Sequence, residues 1–270
     1  MPRLFRIATF LGLLISTAVT LPAQTPKQQA WEILDAAAVN SKAEMRANNA
    51  RALGLVSGNA KVTGMLEQAL QDSDPTVRAA AATSLGTIKS RGSVPKLLAA
   101  LKDKDGDVVM AAAKSLAVMN QEKGYSVFYA LVTGQRKSGE GLVGSEEKEM
   151  TDILKNPSSL ANEAFQEGMG FVPYGGVAMG TYEAIRANGK KEAMVKAAAV
   201  RTLAKDPDPR TRKALVQAAT DKEWIVRAAA YDALARRGDK SVVPDVVNGL
   251  IDSEDVVKLT AAAAIVQLSE

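Results

Sequence analysis

The sequence predicts an all-α protein, an α-solenoid of about six two-helix repeats with one insertion. Three observations lead there. Aromatic residues make up 4% of the 270 positions against an apolar fraction of 47%, so the core is built mainly from Ala, Leu and Val, which suits close-packed helices better than sheet. One sequence pattern returns at a near-constant interval, the mark of a stacked-repeat architecture. Alanine runs recur at the same point of most intervals, at Ala79 to Ala82, Ala111 to Ala113, Ala197 to Ala199, Ala228 to Ala230 and Ala261 to Ala264.

The first residues read as an export signal. Arg3 and Arg6 form a basic start, Ile7 to Val19 an apolar run of thirteen residues, and Leu21-Pro22-Ala23 a small-residue cut site before Gln24. Residues 1–23 are therefore expected to be a signal peptide of the bacterial type, and the chain to be exported, periplasmic or secreted. Leu21 stands where a smaller residue is usual, so an uncleaved anchor is the alternative; thirteen apolar residues are short for a span that needs about 20. No cysteine follows the run, which excludes a lipoprotein anchor. Removing Arg3 and Arg6 lowers the formal charge from +4 to +2, too small to suggest a nucleic-acid partner.

The repeat begins after the leader. Asp72-Ser-Asp-Pro-Thr-Val-Arg-Ala-Ala-Ala-Ala-Thr-Ser-Leu85 returns 31 residues later as Asp103-Lys-Asp-Gly-Asp-Val-Val-Met-Ala-Ala-Ala-Lys-Ser-Leu116. Trp224 to Leu234 and Asp255 to Ile265 repeat it again. The apolar anchors Met45, Val77, Val108, Val195, Val226 and Val257 are separated by 32, 31, 87, 31 and 31 residues, leaving 56 surplus residues between the third and fourth units. In the second unit Val62, Met65, Leu66, Ala69 and Leu70 make one apolar stripe of a first helix. Asp74 caps a second helix with Pro75 at its first position and Gly86 near its end. Thin, Ala-rich second helices stack closely and bury a core that no single unit builds.

The pattern Asp-x-Asp-x-x-Val-Arg-x-Ala-Ala-x-x-Leu resembles HEAT-like repeats of the short type found in phycobilin lyases and many bacterial scaffold proteins. The resemblance covers residues 31–132 and 190–270. It implies partner binding along a curved surface and a polar ladder, in which the first Asp of one unit pairs with the Arg of its neighbour. Here the Asp places are Asn40, Asp72, Asp103, Lys190, Asp221 and Asp252, and the basic places are Arg46, Arg78, Val109, Lys196, Arg227 and Lys258. The ladder fails at Val109 and Lys190, on either side of the surplus segment. Either the pattern drifts at an irregular junction, or the insertion docks on Val109 and Met110 and an apolar contact replaces an ion pair.

The division expected is residues 1–23 as signal peptide, 24–132 as repeats 1–3 and the start of repeat 4, 133–189 as insertion, and 190–270 as repeats 4–6. The insertion holds ten of the twenty glycines and carries a charge of −3 against +5 for the rest of the mature chain. Seven of the mature chain's ten aromatics, Tyr125, Phe128, Tyr129, Phe165, Phe171, Tyr174 and Tyr182, fall within 58 residues. They read either as a partner-binding patch or as the small core of an insertion too short for an Ala/Leu stack. Residues 177–188 read as a helix that fills the first place of the fourth unit, and residues 125–132 compete for that place.

Gly139-Glu-Gly-Leu-Val-Gly144 fits a dinucleotide-loop spacing, but no strand precedes it and Glu140 stands where pyrophosphate would lie. Gly176-Val-Ala-Met-Gly180 has the small-residue spacing of membrane helices in a run too short to span. Glu146, Glu147, Glu149 and Asp152 lack the spacing of a calcium loop and read as a solvated helix face. Histidine and cysteine are both absent, which removes Ser-His-Asp and Cys-His catalysis, thiolate redox chemistry and ordinary zinc sites. The reading that results is an exported, non-enzymatic protein-binding scaffold with no catalytic residue, metal or cofactor, whose partner is another exported protein or peptide. A bilin-lyase-like ligand-handling enzyme or accessory subunit, and a membrane-surface-associated structural module, are the alternatives.

Overall fold

A computed structural model describes residues 24–132 and 191–270, and every regular element in them is helical. Unit 1 is α1 (Pro26–Ala38) and α2 (Ala43–Leu53); unit 2 is α3 (Ala60–Ala69) and α4 (Pro75–Thr87). Unit 3 is α5 (Val94–Ala100) and α6 (Gly106–Val118), followed by α7 (Glu122–Val132). The second stretch opens with α8 (Lys191–Leu203), the second helix of unit 4. Unit 5 is α9 (Arg210–Ala218) and α10 (Trp224–Arg237), and unit 6 is α11 (Val243–Val246), extended by a 3-10 turn over Val247–Ile251, with α12 (Asp255–Leu268).

Local chemistry sets the helix starts. Thr25 and Gln28 close a capping box on α1, with Pro26 in its first turn. Asp74 accepts from the Thr76 amide at 2.8 Å, and Asp105 from the amides of Asp107 and Val108 at 3.1 and 3.2 Å. These bonds satisfy amides that a helix leaves without an internal partner.

The second helices carry the core. In α4, Val77, Ala80, Ala81, Ala82 and Leu85 are all buried, and their small volume brings α2, α4 and α6 into close parallel layers. A Cβ on Gly86 would lie 2.8 Å from the Ser115 Cα of α6, so only glycine permits this approach. Ser115 uses the proximity to donate its hydroxyl to the Ala82 carbonyl at 2.8 Å. Gly124 does the same for α7, where a Cβ would meet the Ala113 carbonyl and Ala117 amide at 2.6 Å.

Second helices pack extensively on one another, α2 on α4, α4 on α6, α8 on α10 and α10 on α12, whereas successive first helices touch only weakly. The stack therefore curves with the second helices inside. On the outer side, the Lys61 ammonium sits 3.9 Å from the Trp31 ring centroid and 2.8 Å from Asp35, joining α1 to α3.

The order of units in space differs from their order in the chain. Helix α12 packs on α1 and α2, in the way that α6 packs on α7. Units therefore stack in the order 4, 5, 6, 1, 2, 3. Leu34 of α1 and Leu259 and Ile265 of α12, each no more than 1% exposed, belong to one continuous apolar core. Around this seam Lys27 meets Glu270 at 3.1 Å, Asn59 donates to Glu270 at 3.0 Å, and the Ser57 amide donates to Gln267 at 2.8 Å. The insertion stands between units 3 and 4 in sequence, and these are the units farthest apart along the stack.

Candidate interaction surface

The turns between first and second helices form one edge of the stack, and the polar ladder runs along it. The Arg46 guanidinium meets both carboxylate oxygens of Asp72 at 2.7 Å, while its remaining nitrogen donates to the carbonyls of Asn40 and Ser41. Arg78 repeats this with Asp103 at 2.7 and 2.8 Å, and Arg227 with Asp252 at the same distances. Each guanidinium thus ties the turn of its own unit to the carboxylate of the next, in the fork geometry that suits arginine. The carboxylate also accepts from a backbone amide two residues on, at 2.9 Å in Asp72, Asp103, Asp221 and Asp252.

These bonds move the carboxyls' proton affinity. The Arg46 guanidinium holds the Asp72 carboxyl below its ordinary range. Burial pushes Asp103 and Asp252 up, but their arginines and the backbone amides together outweigh it and leave both below the ordinary value.

Weaker rungs mark particular places. Lys196 reaches Asp221 at 3.6 Å. At the seam Lys258 turns to Asp255 of its own helix at 3.2 Å. Its expected partner is replaced by Asn40, which keeps the turn by accepting from the Lys42 amide at 2.9 Å. Immediately before the ladder position, units 1 and 6 carry Val39 and Ile251, 78% and 86% exposed, where units 2, 3 and 5 have Gln71, Lys102 and Thr220.

The inner face of the second helices is a separate surface that the repeat consensus does not display. Six residues after each anchor, in stack order, stand Arg201, Asp232, Ala263, Arg51, Thr83 and Lys114. Asp232 is 2% exposed and accepts from the Arg236 Nε through both oxygens, at 2.9 and 3.1 Å. Burial pushes its carboxyl up against the opposing pull of Arg236 and Arg201. Arg51, also buried, donates to Asn48 Oδ1 at 2.9 Å. A column read across the units at this spacing would have found these residues; their types differ from unit to unit, so the shared pattern hides them.

At one end of the stack, Val109 is fully buried with Ala113, Val127 and Leu101, so α7 covers the place where a ladder arginine would stand. Met110 beside it is half-buried. Tyr125 is 45% exposed and donates its hydroxyl to the Ala117 carbonyl at 3.2 Å, near the exposed Val118. Phe128 and Tyr129 follow on α7. Phe165, Phe171, Tyr174 and Tyr182, and any docking of the insertion on Val109 and Met110, lie outside the described residues. At the other end, a cavity of about 450 Å³ opens between α8, α9 and α10, lined by Val200, Leu203, Ala214 and Val226 with Lys196 and Asp221 at its rim. Among the described residues no helix is long and apolar enough to cross a membrane, and no cluster of acids is placed to hold a metal ion.

The family model for HEAT repeats matches residues 32–117, 62–136 and 184–266. No curated protein matches the chain. Among solved structures, the complex of CpcE and CpcF of phycocyanin lyase from Nostoc sp. PCC7120 is similar at 18% identity and a TM-score of 0.34, over 98% of this chain and 100% of that one. An engineered protein matches at 18% identity and a TM-score of 0.29, over 89% of this chain and 96% of that one. A designed armadillo repeat protein matches at 13% identity and a TM-score of 0.26, over 90% and 100%.

Proposed function

Because the chain belongs to the HEAT-repeat family, whose fold serves protein interaction, we propose that it is an exported, non-enzymatic scaffold that holds another exported protein or peptide. The observation that carries this reading is the continuous curved face of second helices, on which Thr83, Lys114, Arg201 and Arg236 are exposed or half-buried. Extended concave surfaces are what stacked repeats present to partners. The absence of histidine and cysteine from the whole chain supports a role without nucleophilic catalysis.

Export is supported by the start of the fold. Helix α1 begins at Pro26 and is capped by Thr25 and Gln28, so removal of residues 1–23 leaves its capping box intact. The aromatic residues Phe171 and Tyr174 supply the second half of the recognition surface, as large rigid side chains do at binding hot spots.

Co-purification from the exported fraction tests the proposal. Wild-type protein is expected to bring down one partner, and Phe171→Ala with Tyr174→Ala, or Lys114→Glu, to weaken that capture with the melting temperature nearly unchanged. Loss of stability in the aromatic variant without a binding defect assigns those residues to a small core instead. Retention of all of the protein inside the cell would refute export.

A further inference from the structure

We infer that the seam between α12 and α1–α2 is an interface complete in itself: it holds residues 24–132 and 191–270 together as separate polypeptides once the connection between them is cut. The partner that each surface fits is the other part of this chain.

The seam has the anatomy of a protein–protein interface. Ala30, Leu34 and Ala37 of α1 are at most 5% exposed, and ten residues of α12 are buried, eight of them at 0%. This apolar centre is flanked by polar contacts, Lys27 with Glu270 and with the Ser269 carbonyl, Ser57 with Gln267, and Asn59 with Glu270. The packing of α12 on α1 matches in extent that of α6 on α7, which follow one another in the chain.

The covalent link enters at the wrong place to hold this joint. The described residues on either side of it, Val132 of α7 and Lys191 of α8, belong to the unit 3 and unit 4 ends of the stack, away from the seam. A covalent connection adds an effective concentration, of about millimolar order at most. An interface of core-like packing needs far less to stay closed.

The experiment uses the full-length chain with a specific protease site inserted after Gly139, cut after folding. The two pieces are expected to elute as one species at about micromolar concentration, with a melting temperature that becomes dependent on concentration. Separation of the pieces on cutting overturns the inference. Leu34→Asp is expected to leave pieces that separate after the cut. Should that variant fail to fold, Glu270→Lys and Gln267→Ala at the rim are expected to fold and to raise the dissociation rate of the cut protein several-fold, with Lys27→Glu restoring the Glu270→Lys loss. Rim variants that dissociate no faster than the cut wild type also overturn it.

Discussion

Arg78 of α4 and Asp103 of the following unit meet through two parallel hydrogen bonds, Nε to Oδ2 at 2.7 Å and Nη2 to Oδ1 at 2.8 Å. Both side chains are largely buried, at 8% and 14% exposure. Removing one member leaves a charge with little access to water. Arg78→Ala is expected to lower the unfolding free energy by about 2–4 kcal/mol. Lys258→Ala, at the rung where the opposite unit carries Asn40, is expected to change it by less than about 0.5 kcal/mol. Urea denaturation of the two variants checks the contrast.

Ladder carboxylates give the fold an acid limit. Asp72, Asp103 and Asp252 bind protons less readily folded than unfolded. Their stabilisation is therefore complete above the unfolded carboxylate value and is lost as pH falls through the depressed ones. Unfolding free energy is expected to drop below about pH 4 and to drop less steeply in Asp72→Asn.

Asp232 has the opposite sign. Its carboxyl is raised by burial, so its contribution is full below the unfolded value and declines as pH rises through the raised one. Asp232→Asn is expected to gain stability relative to wild type as pH rises above about 4, the unfolded carboxylate value. A difference in unfolding free energy that stays flat over that range contradicts the assignment.

Close approach of the second helices rests on Gly86. A methyl group there lies 2.8 Å from the Ser115 Cα, and the neighbour is backbone that has to move. Gly86→Ala is expected to destabilise by about 1–3 kcal/mol, measured by thermal or urea unfolding, although alanine is the better helix former.

Much of this was legible in the residues. The 31-residue spacing, the Asp74–Pro75 helix start and the Asp–Arg ladder follow from side-chain chemistry that acts within one unit or between neighbours. The order of stacking was not legible. Leu34 and Leu259 bury equally well against any similar unit, so nothing local says which unit is the neighbour. The ladder held a trace of it: Val109, a failed place, belongs to the unit at one end of the stack, and Asn40 and Lys258, which form no ion pair with each other, face each other at the seam. The inner row of Arg51, Asp232 and Lys114 was hidden for a different reason, since each is held by partners particular to its own unit, as Asp232 is by Arg236 and Arg51 by Asn48, and so the residue types share no pattern.

The distance between positions 27 and 270 tests the stacking order most directly. The chain has no cysteine, so Lys27→Cys with Glu270→Cys places two spin labels and no others. With unit 6 seated on unit 1, the labels are expected within about 20 Å of each other. Units stacked in chain order would set them about 50 Å apart, five interhelical spacings of about 10 Å, and a distance of that size contradicts the seam.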